Sequence, residues 1–318
     1  MFGYPITPAS EILEKWSLIC QEDKSIKVLQ TEDEMAAGFA TIGACLSGQP
    51  AFTATAGPGN VLMQDAFSMA EALRIPTVAM IMQRGGLSTS TVIYSQEEVR
   101  LTTFGGNGEG LRVVYSTSGL QDLYDYTFKA FQTAWQYRWP TFLLADGYQA
   151  KMVGKIETNE RKSELQNVSP ILKPGVNLRN CYNLEEEIGQ IIRSYVKEYR
   201  QVRSQLEEHE TYQTQGAKLV LVAHGIVASA AKTAVDLLRK KGKAVGLFRP
   251  ITLRPFPAQA AITTLGTAEK VVVIESAEGQ MASLLKDEVL LNQPLVEYYK
   301  PGEGFAPEEI DAEITKIS

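Results

Sequence analysis

Short apolar runs alternate with amphipathic stretches along most of this chain, and this alternation is the feature that most constrains its fold. Between Ser25 and Asp146, runs rich in β-branched and aromatic residues predict strands, with helical patterns between them. The predicted strands are 26–30, 51–55, 77–82, 112–116 and 141–145. Strands that alternate with helices in this way indicate a parallel sheet covered by helices, an α/β fold. Ligands of such sheets bind beyond the carboxyl ends of the strands, so we expect a site after Thr55, Gln83 and Ala145.

The domain organisation follows from where this alternation stops and resumes. Residues 1–150 form the first predicted α/β domain, residues 151–216 a linker, and residues 217–318 a smaller α/β domain. The linker begins polar, notably over 159–163, and ends in a long amphipathic helix with Asn183 as its predicted N-cap. This helix either packs on its own domains or provides a docking surface for another subunit, and both alternatives fit the sequence.

Composition excludes several classes of function. The formal net charge is −6 and no basic block is present to follow a phosphate backbone, so nucleic acid is not an expected partner. The chain has 3 cysteines without a CxxC pair and 2 histidines, so we expect no metal site made by this chain alone and a reducing, cytoplasmic location. No apolar run approaches the roughly 18 residues of a membrane span, and the first residues show no signal-peptide pattern, so we expect no membrane association and no export.

The segment GYPITPASE, residues 3–11, places a hydroxyl residue between two prolines. Thr7 followed by Pro8 predicts a helix N-cap with proline at the first helical position. This capping role explains Thr7 without any function. However, prolines also fix the loop, and a capped helix end presents N–H groups that bind anions. Thr7 is therefore a candidate binding residue as well as a predicted cap.

The segment TEDEMAAG, residues 31–38, begins a helix after a predicted strand. Thr31 and Glu34 match the capping box, in which the Glu34 carboxylate bonds back to a backbone N–H. Gly43 and Gly48 keep one side of this helix free of bulk, which permits close approach of another backbone or of a flat ring. The residues alone thus support both a structural and a functional role for Glu34.

Two further turns follow strands and contain glycine. In TATAGPG, Gly57 and Gly59 permit unusual dihedral angles and let a ligand touch the main chain after Thr55. In QRGGLSTST, Arg84 stands at the end of a strand, and its guanidinium offers a planar set of donors to a carboxylate. The alternative for Arg84 is a structural ion pair in an exposed loop. The later segment FGGNGEG, residues 104–110, is either a lid or a mobile surface loop.

These segments, taken in order, resemble the alpha subunit of 2-oxoacid:ferredoxin oxidoreductases, which are thiamine-diphosphate enzymes. The chain lacks the GxxxxGK[ST], GxGxxG, GxSxG and HExxH motifs of other enzyme classes. GYPITPASE, TEDEMAAG, TATAGPG, QRGGLST and FGGNGEG are similar to the family's pyrimidine-binding domain, and HGIV with GLFRPITLRPFP is similar to its transketolase-C-terminal-like domain. The resemblance covers nearly the whole chain. It implies a parallel-sheet pyrimidine-binding domain over 1–150 and a transketolase-C-terminal-like α/β domain over 217–318.

The resemblance implies that thiamine diphosphate binds with its pyrimidine half against this chain. The Glu34 carboxylate is expected to contact N1′ of the aminopyrimidine and to favour the imino tautomer, as an acid–base group that acts through the cofactor. Glu32 is the alternative for this role. Thr55, Gly57 and Gly59 are the other expected cofactor-binding residues.

Thr7 and Arg84 match family positions that hold the carbonyl region and the carboxylate of the oxoacid. Since decarboxylation removes the charge of that carboxylate, Arg84 is expected to orient the substrate more than to stabilise a later carbanion. TATAGPG and QRGG are most similar to the 2-oxoglutarate and branched-chain 2-oxoacid enzymes, and 2-oxoglutarate is the favoured substrate. The expected reaction is oxidative decarboxylation to acyl-CoA and CO₂, with electrons passed to ferredoxin.

The resemblance also implies that the chain is active only in a hetero-oligomer. Because the chain has no GDG motif, a beta subunit is expected to bind the diphosphate and its Mg²⁺, and gamma and ferredoxin-like subunits or domains are expected to carry the Fe–S clusters. Coenzyme A is the expected co-substrate. One alternative is a lipoamide-linked 2-oxoacid dehydrogenase chain of beta type. Another is a non-catalytic scaffold subunit, because family alpha chains usually carry a strand and a helix before GYPITP and this chain begins almost at that motif.

Overall fold

The computed structural model describes residues 1–158, 165 and 168–317, so the polar segment 159–163 of the predicted linker lies outside the described residues. Strands and helices alternate through the described part. The strands are β1 (Phe2–Gly3), β2 (Leu29–Gln30), β3 (Phe52–Thr55), β4 (Val78–Gln83), β5 (Val113–Ser116), β6 (Thr141–Asp146), β7 (His209–Tyr212), β8 (Leu219–Val222), β9 (Val245–Pro250), β10 (Thr252–Arg254), β11 (Lys270–Glu275) and β12 (Leu295–Tyr299). The helices are α1 (Ser10–Glu22), α2 (Glu34–Leu46), α3 (Pro58–Leu62), α4 (Gln64–Ala72), α5 (Val99–Phe104), α6 (Leu120–Tyr137), α7 (Glu185–Leu206), α8 (Gly225–Lys240), α9 (Ala258–Leu265), α10 (Gln280–Glu288) and α11 (Pro307–Ile317).

The first large sheet has the strand order β10-β5-β6-β4-β3. Strands β3, β4, β6 and β5 run parallel, as predicted, and Thr55 at the end of β3 lies opposite Ile81 of β4. Strand β10 comes from the second half of the chain and pairs antiparallel with β5. The sequence does not predict β10, because its 3 residues are too few to show a period of two. The α/β fold class is confirmed, with an antiparallel strand added at this edge.

The second large sheet has the strand order β12-β11-β8-β9-β7. Strands β12, β11, β8 and β9 are parallel, and their central members are buried on both faces. Strand β7 pairs antiparallel with β9, so that His209 lies opposite Pro250. The near-continuous apolar sequence of β8 and β11 is typical of strands covered by helices on both sides.

The long helix α7 packs on the chain's own first domain, which is the first of the two predicted alternatives. Tyr199 and Leu206 are its buried residues. The Tyr199 ring contacts Trp139 edge to face, and its hydroxyl donates to the Arg112 carbonyl at 2.6 Å. The predicted cap is wrong, because the helix begins at Glu185 and the preceding residue is Leu184, whose side chain cannot cap.

Two other predicted helix starts are also wrong. Helix α1 begins at Ser10 after Ala9, so Thr7 is not its N-cap, and the Thr7–Pro8 peptide is cis. Helix α2 begins at Glu34, and its N-cap is Asp33, whose carboxylate accepts from the Ala36 amide at 2.7 Å. The Thr31–Glu34 capping box therefore does not form, because Asp33 already satisfies that end of the helix.

Two predicted elements are shorter or divided. The strand predicted over 26–30 is reduced to β2, because its partner β1 offers only Phe2 and Gly3 for pairing. The helical pattern between the strands predicted over 51–55 and 77–82 is divided at Met63 into α3 and α4. In the described part of the chain, none of the helices combines the length and the apolar character needed to cross a bilayer.

Candidate cofactor and substrate site

The predicted site residues lie where β3 and β4 end and where α2 begins. The turn after β3 carries Gly57 into α3, and the residue after β4 is Arg84. Because parallel strands end at the same edge of a sheet, these two turns are neighbours. The three positions at which a site was expected, after Thr55, Gln83 and Ala145, thus lie along one edge of the sheet, since Ala145 pairs with Met82 in the neighbouring strand.

Glu34 is the first residue of α2, and only 6% of its surface is exposed. Within the part of the chain that the structure describes, its carboxylate makes no hydrogen bond and no ion pair. Burial of a carboxylate without a partner costs several kcal/mol unless a complementary group meets it. The structural alternative, a carboxylate that caps its own helix, is therefore not what the structure shows.

Gly59 and Thr55 form a small cradle beside the Glu34 carboxylate. A Cβ atom at Gly59 would lie 2.7 Å from both Cγ and Oε1 of Glu34, and it would overlap Oγ1 of Thr55. The Thr55 hydroxyl is itself buried and has no hydrogen-bond partner in the described structure. A buried acid and a buried hydroxyl, both without a partner among the described residues, thus lie against Gly59, and together they can serve a ligand that offers both a donor and an acceptor.

Gly57 and Arg84 form the second half of the site. Gly57 has φ +51° and ψ −120°, a conformation that glycine adopts without a steric cost. A Cβ at Gly57 would lie 2.7 Å from Nε of Arg84, so the absence of a side chain makes room for the guanidinium. Arg84 is only 4% exposed, and its Nε is buried without a partner in the described structure. The alternative of an exposed structural ion pair is therefore wrong for Arg84.

Thr7 lies against Arg84. The Thr7 carbonyl accepts a hydrogen bond from Nη1 of Arg84 at 2.5 Å, although the two residues are far apart in sequence. The Thr7 residue itself is exposed. One edge of the guanidinium is thus held in place, while its buried Nε has no hydrogen-bond partner among the described residues.

Sequence reasoning did not identify Glu98, a buried residue that connects the two turns. One carboxylate oxygen of Glu98 accepts from the amide of Gly57 at 2.7 Å and from the amide of Arg84 at 3.0 Å. The other accepts from Nδ2 of Asn60 at 2.8 Å. Burial raises the pKa of Glu98, and these hydrogen bonds oppose that shift. An acid at the start of a short helix gives no functional signal in sequence, because acids are common there.

Two family models cover almost the entire chain. The model described as pyruvate flavodoxin/ferredoxin oxidoreductase, thiamine diP-binding, matches residues 1–220. The chain belongs to this family. The model described as pyruvate:ferredoxin oxidoreductase core domain II matches residues 217–309. The resemblance drawn from the motifs is confirmed, and so is the assignment to an oxidoreductase family that binds thiamine diphosphate.

Relatives of this oxidoreductase chain carry two different substrate names. It is 33% identical to ketoisovalerate oxidoreductase subunit VorB of Methanothermobacter marburgensis, over 90% of this chain and 83% of the relative. It is 31% identical to 2-oxoglutarate synthase subunit KorA of Methanocaldococcus jannaschii, over 88% of this chain and 83% of the relative. Both relatives are subunits, so the prediction that chains of this kind work with partner subunits is supported.

Solved structures share the fold of this oxidoreductase chain. One is 2-oxoglutarate:ferredoxin oxidoreductase from Magnetococcus marinus with 2-oxoglutarate, coenzyme A and succinyl-CoA bound, at 23% identity and a TM-score of 0.84. The match covers 99% of this chain, which spans 61% of the length of that one. Another is a split-gene transketolase described as an inactive beta4 tetramer, at 14% identity, a TM-score of 0.60, and coverage of 99% and 90%. These likenesses confirm the predicted transketolase-like architecture.

Proposed function

We propose that this chain is an alpha-type subunit of a 2-oxoacid:ferredoxin oxidoreductase that binds the pyrimidine half of thiamine diphosphate. The observation that carries the proposal is that the Glu34 carboxylate and the Thr55 hydroxyl are both buried against Gly59 and have no partner among the described residues. A cradle of this kind fits an aminopyrimidine, which carries ring nitrogen and amino groups on one edge. Glu34 then holds or releases a proton at its carboxylate. Thr55 and Gly59, which pack against this carboxylate, hold it in position for its contact with the aminopyrimidine.

When bound, the cofactor supplies an electron sink, which takes up the electron pair of the C–C bond that breaks as the 2-oxoacid releases CO₂. The residues of this chain orient the reactants around it. Arg84 presents its guanidinium to the substrate carboxylate, and the carbonyl of Thr7 holds that guanidinium in one orientation. The hydroxyl of Thr7, which makes no hydrogen bond with the described residues, faces the carbonyl region of the substrate.

The proposed substrate is 2-oxoglutarate, with a branched-chain 2-oxoacid as the close competitor. KorA relatives and the Magnetococcus marinus structure favour the first, and the VorB relative favours the second. A dicarboxylate such as 2-oxoglutarate needs a second cationic side chain for its second carboxylate, and we propose that a partner subunit supplies it. The proposed partners are a beta subunit that binds the diphosphate and Mg²⁺, and gamma and ferredoxin-like subunits with Fe–S clusters. Coenzyme A and ferredoxin complete the reaction, and the 3 free cysteines are in keeping with a cytoplasmic location.

The proposal is tested with the complex in which this chain is co-expressed with its partner subunits. A panel of 2-oxoacids is supplied with coenzyme A, thiamine diphosphate and a low-potential acceptor such as ferredoxin or methyl viologen. We expect acyl-CoA formation coupled to reduction of the acceptor, and the loss of both in the Glu34→Gln complex. Transfer of the acyl group to a lipoyl domain without reduction of ferredoxin contradicts the proposal in favour of a lipoamide-linked chain. Turnover that is unchanged in the Glu34→Gln complex contradicts it in favour of a scaffold role.

A further inference from the structure

Glu98 connects the two halves of the candidate site through the main chain. It lies in the segment before α5, and only 4% of its surface is exposed. Its first carboxylate oxygen accepts from the amides of both Gly57 and Arg84, at 2.7 and 3.0 Å. The position of the guanidinium relative to the glycine turn is thus set by one buried acceptor, and neither turn makes a direct backbone hydrogen bond to the other in the described structure.

The second carboxylate oxygen of Glu98 begins a chain of buried side chains. Asn60 Nδ2 donates to this oxygen at 2.8 Å, and Gln64 Nε2 donates to Oδ1 of Asn60 at 2.8 Å. Arg112 Nη1 donates to Oε1 of Gln64 at 3.2 Å. Arg112 is 0% exposed, and its Nη2 donates to the Gly105 carbonyl at 2.8 Å. The chain therefore runs from the candidate site to the glycine-rich segment 104–110.

The direction of every hydrogen bond in this chain is fixed by its two ends. Arg112 has only donors, so Gln64 must turn its oxygen toward it. Asn60 and Gln64 are thereby oriented, and the final donor, Nδ2 of Asn60, requires an acceptor at position 98. Glu98 in turn accepts at both oxygens and donates nowhere. A buried network in which every direction is fixed defines one geometry better than isolated hydrogen bonds do.

We propose that Glu98 is a positioning residue that sets the location of Arg84 relative to the Gly57 turn, and that the chain of Asn60, Gln64 and Arg112 holds Glu98 in place. The assignment rests on the proposed function only where Arg84 is taken to orient the 2-oxoacid. Glu98 touches neither substrate nor cofactor in this proposal, and its effect on the reaction passes through the two backbone amides.

The geometry predicts how a Glu98→Gln substitution fails. The new amide oxygen still accepts from Gly57 and Arg84, but the new NH₂ group then faces the NH₂ group of Asn60. If the Asn60 amide rotates, its NH₂ group faces the NH₂ group of Gln64 instead. If the Gln64 amide also rotates, its NH₂ group faces the donors of Arg112. Arg112 has no acceptor, so a buried pair of opposed donors remains wherever the side chains settle.

An exchange of the two residue types removes this conflict. In Glu98→Gln/Gln64→Glu, Arg112 donates to the carboxylate at position 64, which also accepts from a rotated Asn60. The backbone carbonyl of Asn60, which accepts from Nε2 of Gln64 at 3.1 Å, loses this donor and faces a carboxylate oxygen instead, so the rescue is partial. The oxygen of Asn60 then accepts from the amide at position 98, whose own oxygen still serves Gly57 and Arg84. The exchange preserves composition and net charge, so it separates hydrogen-bond direction from charge.

The first measurement is steady-state kinetics of the reconstituted complex with the best 2-oxoacid of the panel. We expect Glu98→Gln to raise KM for the 2-oxoacid about tenfold or more, with a smaller change in kcat, because an opposed buried donor pair displaces Arg84. We expect the exchange variant to recover part of the loss. The matched control is Glu185→Gln, which removes an exposed carboxylate at the start of α7 and should leave KM unchanged. A purely structural role reduces the amount of folded complex and leaves KM as it was.

The second measurement needs no activity and is made on the full-length chain alone. Amide hydrogen exchange should become faster at Gly57 and Arg84 in Glu98→Gln, and return toward the original rate in the exchange variant. If Glu98→Gln does not fold, Gln64→Met interrupts the chain without adding a donor and should raise KM a few-fold. The positioning role is overturned if folded Glu98→Gln has the same KM as the wild type, or if the hydrogen-exchange rates of the Gly57 and Arg84 amides do not change.

The role of Asn60, Gln64 and Arg112 is overturned if Glu98→Gln/Gln64→Glu has a KM no lower than that of Glu98→Gln. If the wild-type complex is inactive toward every 2-oxoacid, the proposed function is wrong. The hydrogen-exchange rates then still show whether Glu98 sets the location of Arg84 relative to the Gly57 turn.

Discussion

Gly59 lies directly against Glu34, and a Cβ atom at position 59 would come within 2.7 Å of the Glu34 Oε1 atom. The two residues belong to different helices, α2 and α3, which the fold brings together at the end of the first sheet. The carboxylate is buried, and it packs against the place where any other residue at position 59 would carry its side chain. The predictions below use this relationship and the matching one between Gly57 and Arg84.

Gly59→Ala should place a methyl group against the Glu34 carboxylate and so weaken cofactor binding. The added methyl group overlaps the Thr55 hydroxyl and presses on the Glu34 carboxylate, and overpacking of this kind costs about 1–3 kcal/mol. We expect about 10- to 100-fold weaker activation of the complex by thiamine diphosphate, measured by titration of the cofactor. Gly43→Ala is the matched control, because a Cβ there meets nothing within 4 Å and lies on a helix. That control should raise stability by about 0.5–1 kcal/mol without a change in cofactor titration. If Gly59→Ala and Gly43→Ala respond equally to added thiamine diphosphate, the cofactor does not bind beside Glu34 and Gly59.

Glu34→Gln should nearly abolish turnover while the complex still assembles. The amide keeps the shape of the side chain but cannot take up or release the proton, and loss of an acid–base group costs about 100- to 10,000-fold in rate. The measurement is kcat in the reconstituted complex, with assembly followed by size-exclusion chromatography. Glu32→Gln removes an exposed carboxylate two residues away and is expected to retain activity. Loss of activity in Glu32→Gln and not in Glu34→Gln identifies Glu32 as the functional acid instead.

Arg84→Lys should weaken binding of the 2-oxoacid more than it slows the chemical step. Lysine keeps the positive charge but loses the planar set of donors, so it cannot both bond to the Thr7 carbonyl and present a second donor in the same plane. We expect KM to rise about 10- to 100-fold with a smaller effect on kcat, measured over a range of 2-oxoacid concentrations. Arg100→Lys is the control, since the Arg100 side chain is 57% exposed. An equal KM for Arg84→Lys and the wild type argues against a carboxylate contact.

Asp146→Asn should change how stability depends on pH. Asp146 ends β6, accepts from Nε2 of Gln83 at 2.8 Å and from the amide of Ile226, and so joins the two domains. Burial raises its pKa from 3.8 to about 7. The folded chain therefore holds the proton more tightly than the unfolded chain does, and this contribution to stability is lost as pH rises from about 4 to about 7.

Asparagine cannot ionise, so the free energy of unfolding of the wild type relative to Asp146→Asn should fall across this interval and stay constant above about pH 7. Urea unfolding of the full chain at a series of pH values measures this difference. The comparison with the variant cancels the contributions of other buried groups such as Glu275, whose pKa is also raised to about 7. Parallel pH profiles for the two proteins are the result that contradicts the prediction.

The positions of the central strands and the location of the candidate site were largely predictable from local pattern. Period and composition locate β3, β4 and β6 within a residue or two, and the rule for parallel sheets then places functional residues at their carboxyl ends. The family resemblance that the motifs carry selected Glu34 and Arg84 as proposed site residues, whereas the residues alone left a structural role open for both. The helix starts at Thr7, Thr31 and Asn183 were not predictable, because several hydroxyl, amide and acidic residues near each start compete to cap it.

By itself, the sequence determined the α/β class, the family and the residue types able to serve a thiamine-dependent reaction, since these depend on neighbouring residues and their order. The tertiary structure alone decided that Glu34 meets no partner among the residues the structure describes, that the Thr7 carbonyl holds Arg84, and that Glu98 accepts from both turns. These facts depend on contacts between distant residues, such as the 41 positions that separate Gly57 from Glu98. Burial and hydrogen-bond pairing arise only when the sheets and helices pack, and no periodicity along the chain encodes which donor meets which acceptor.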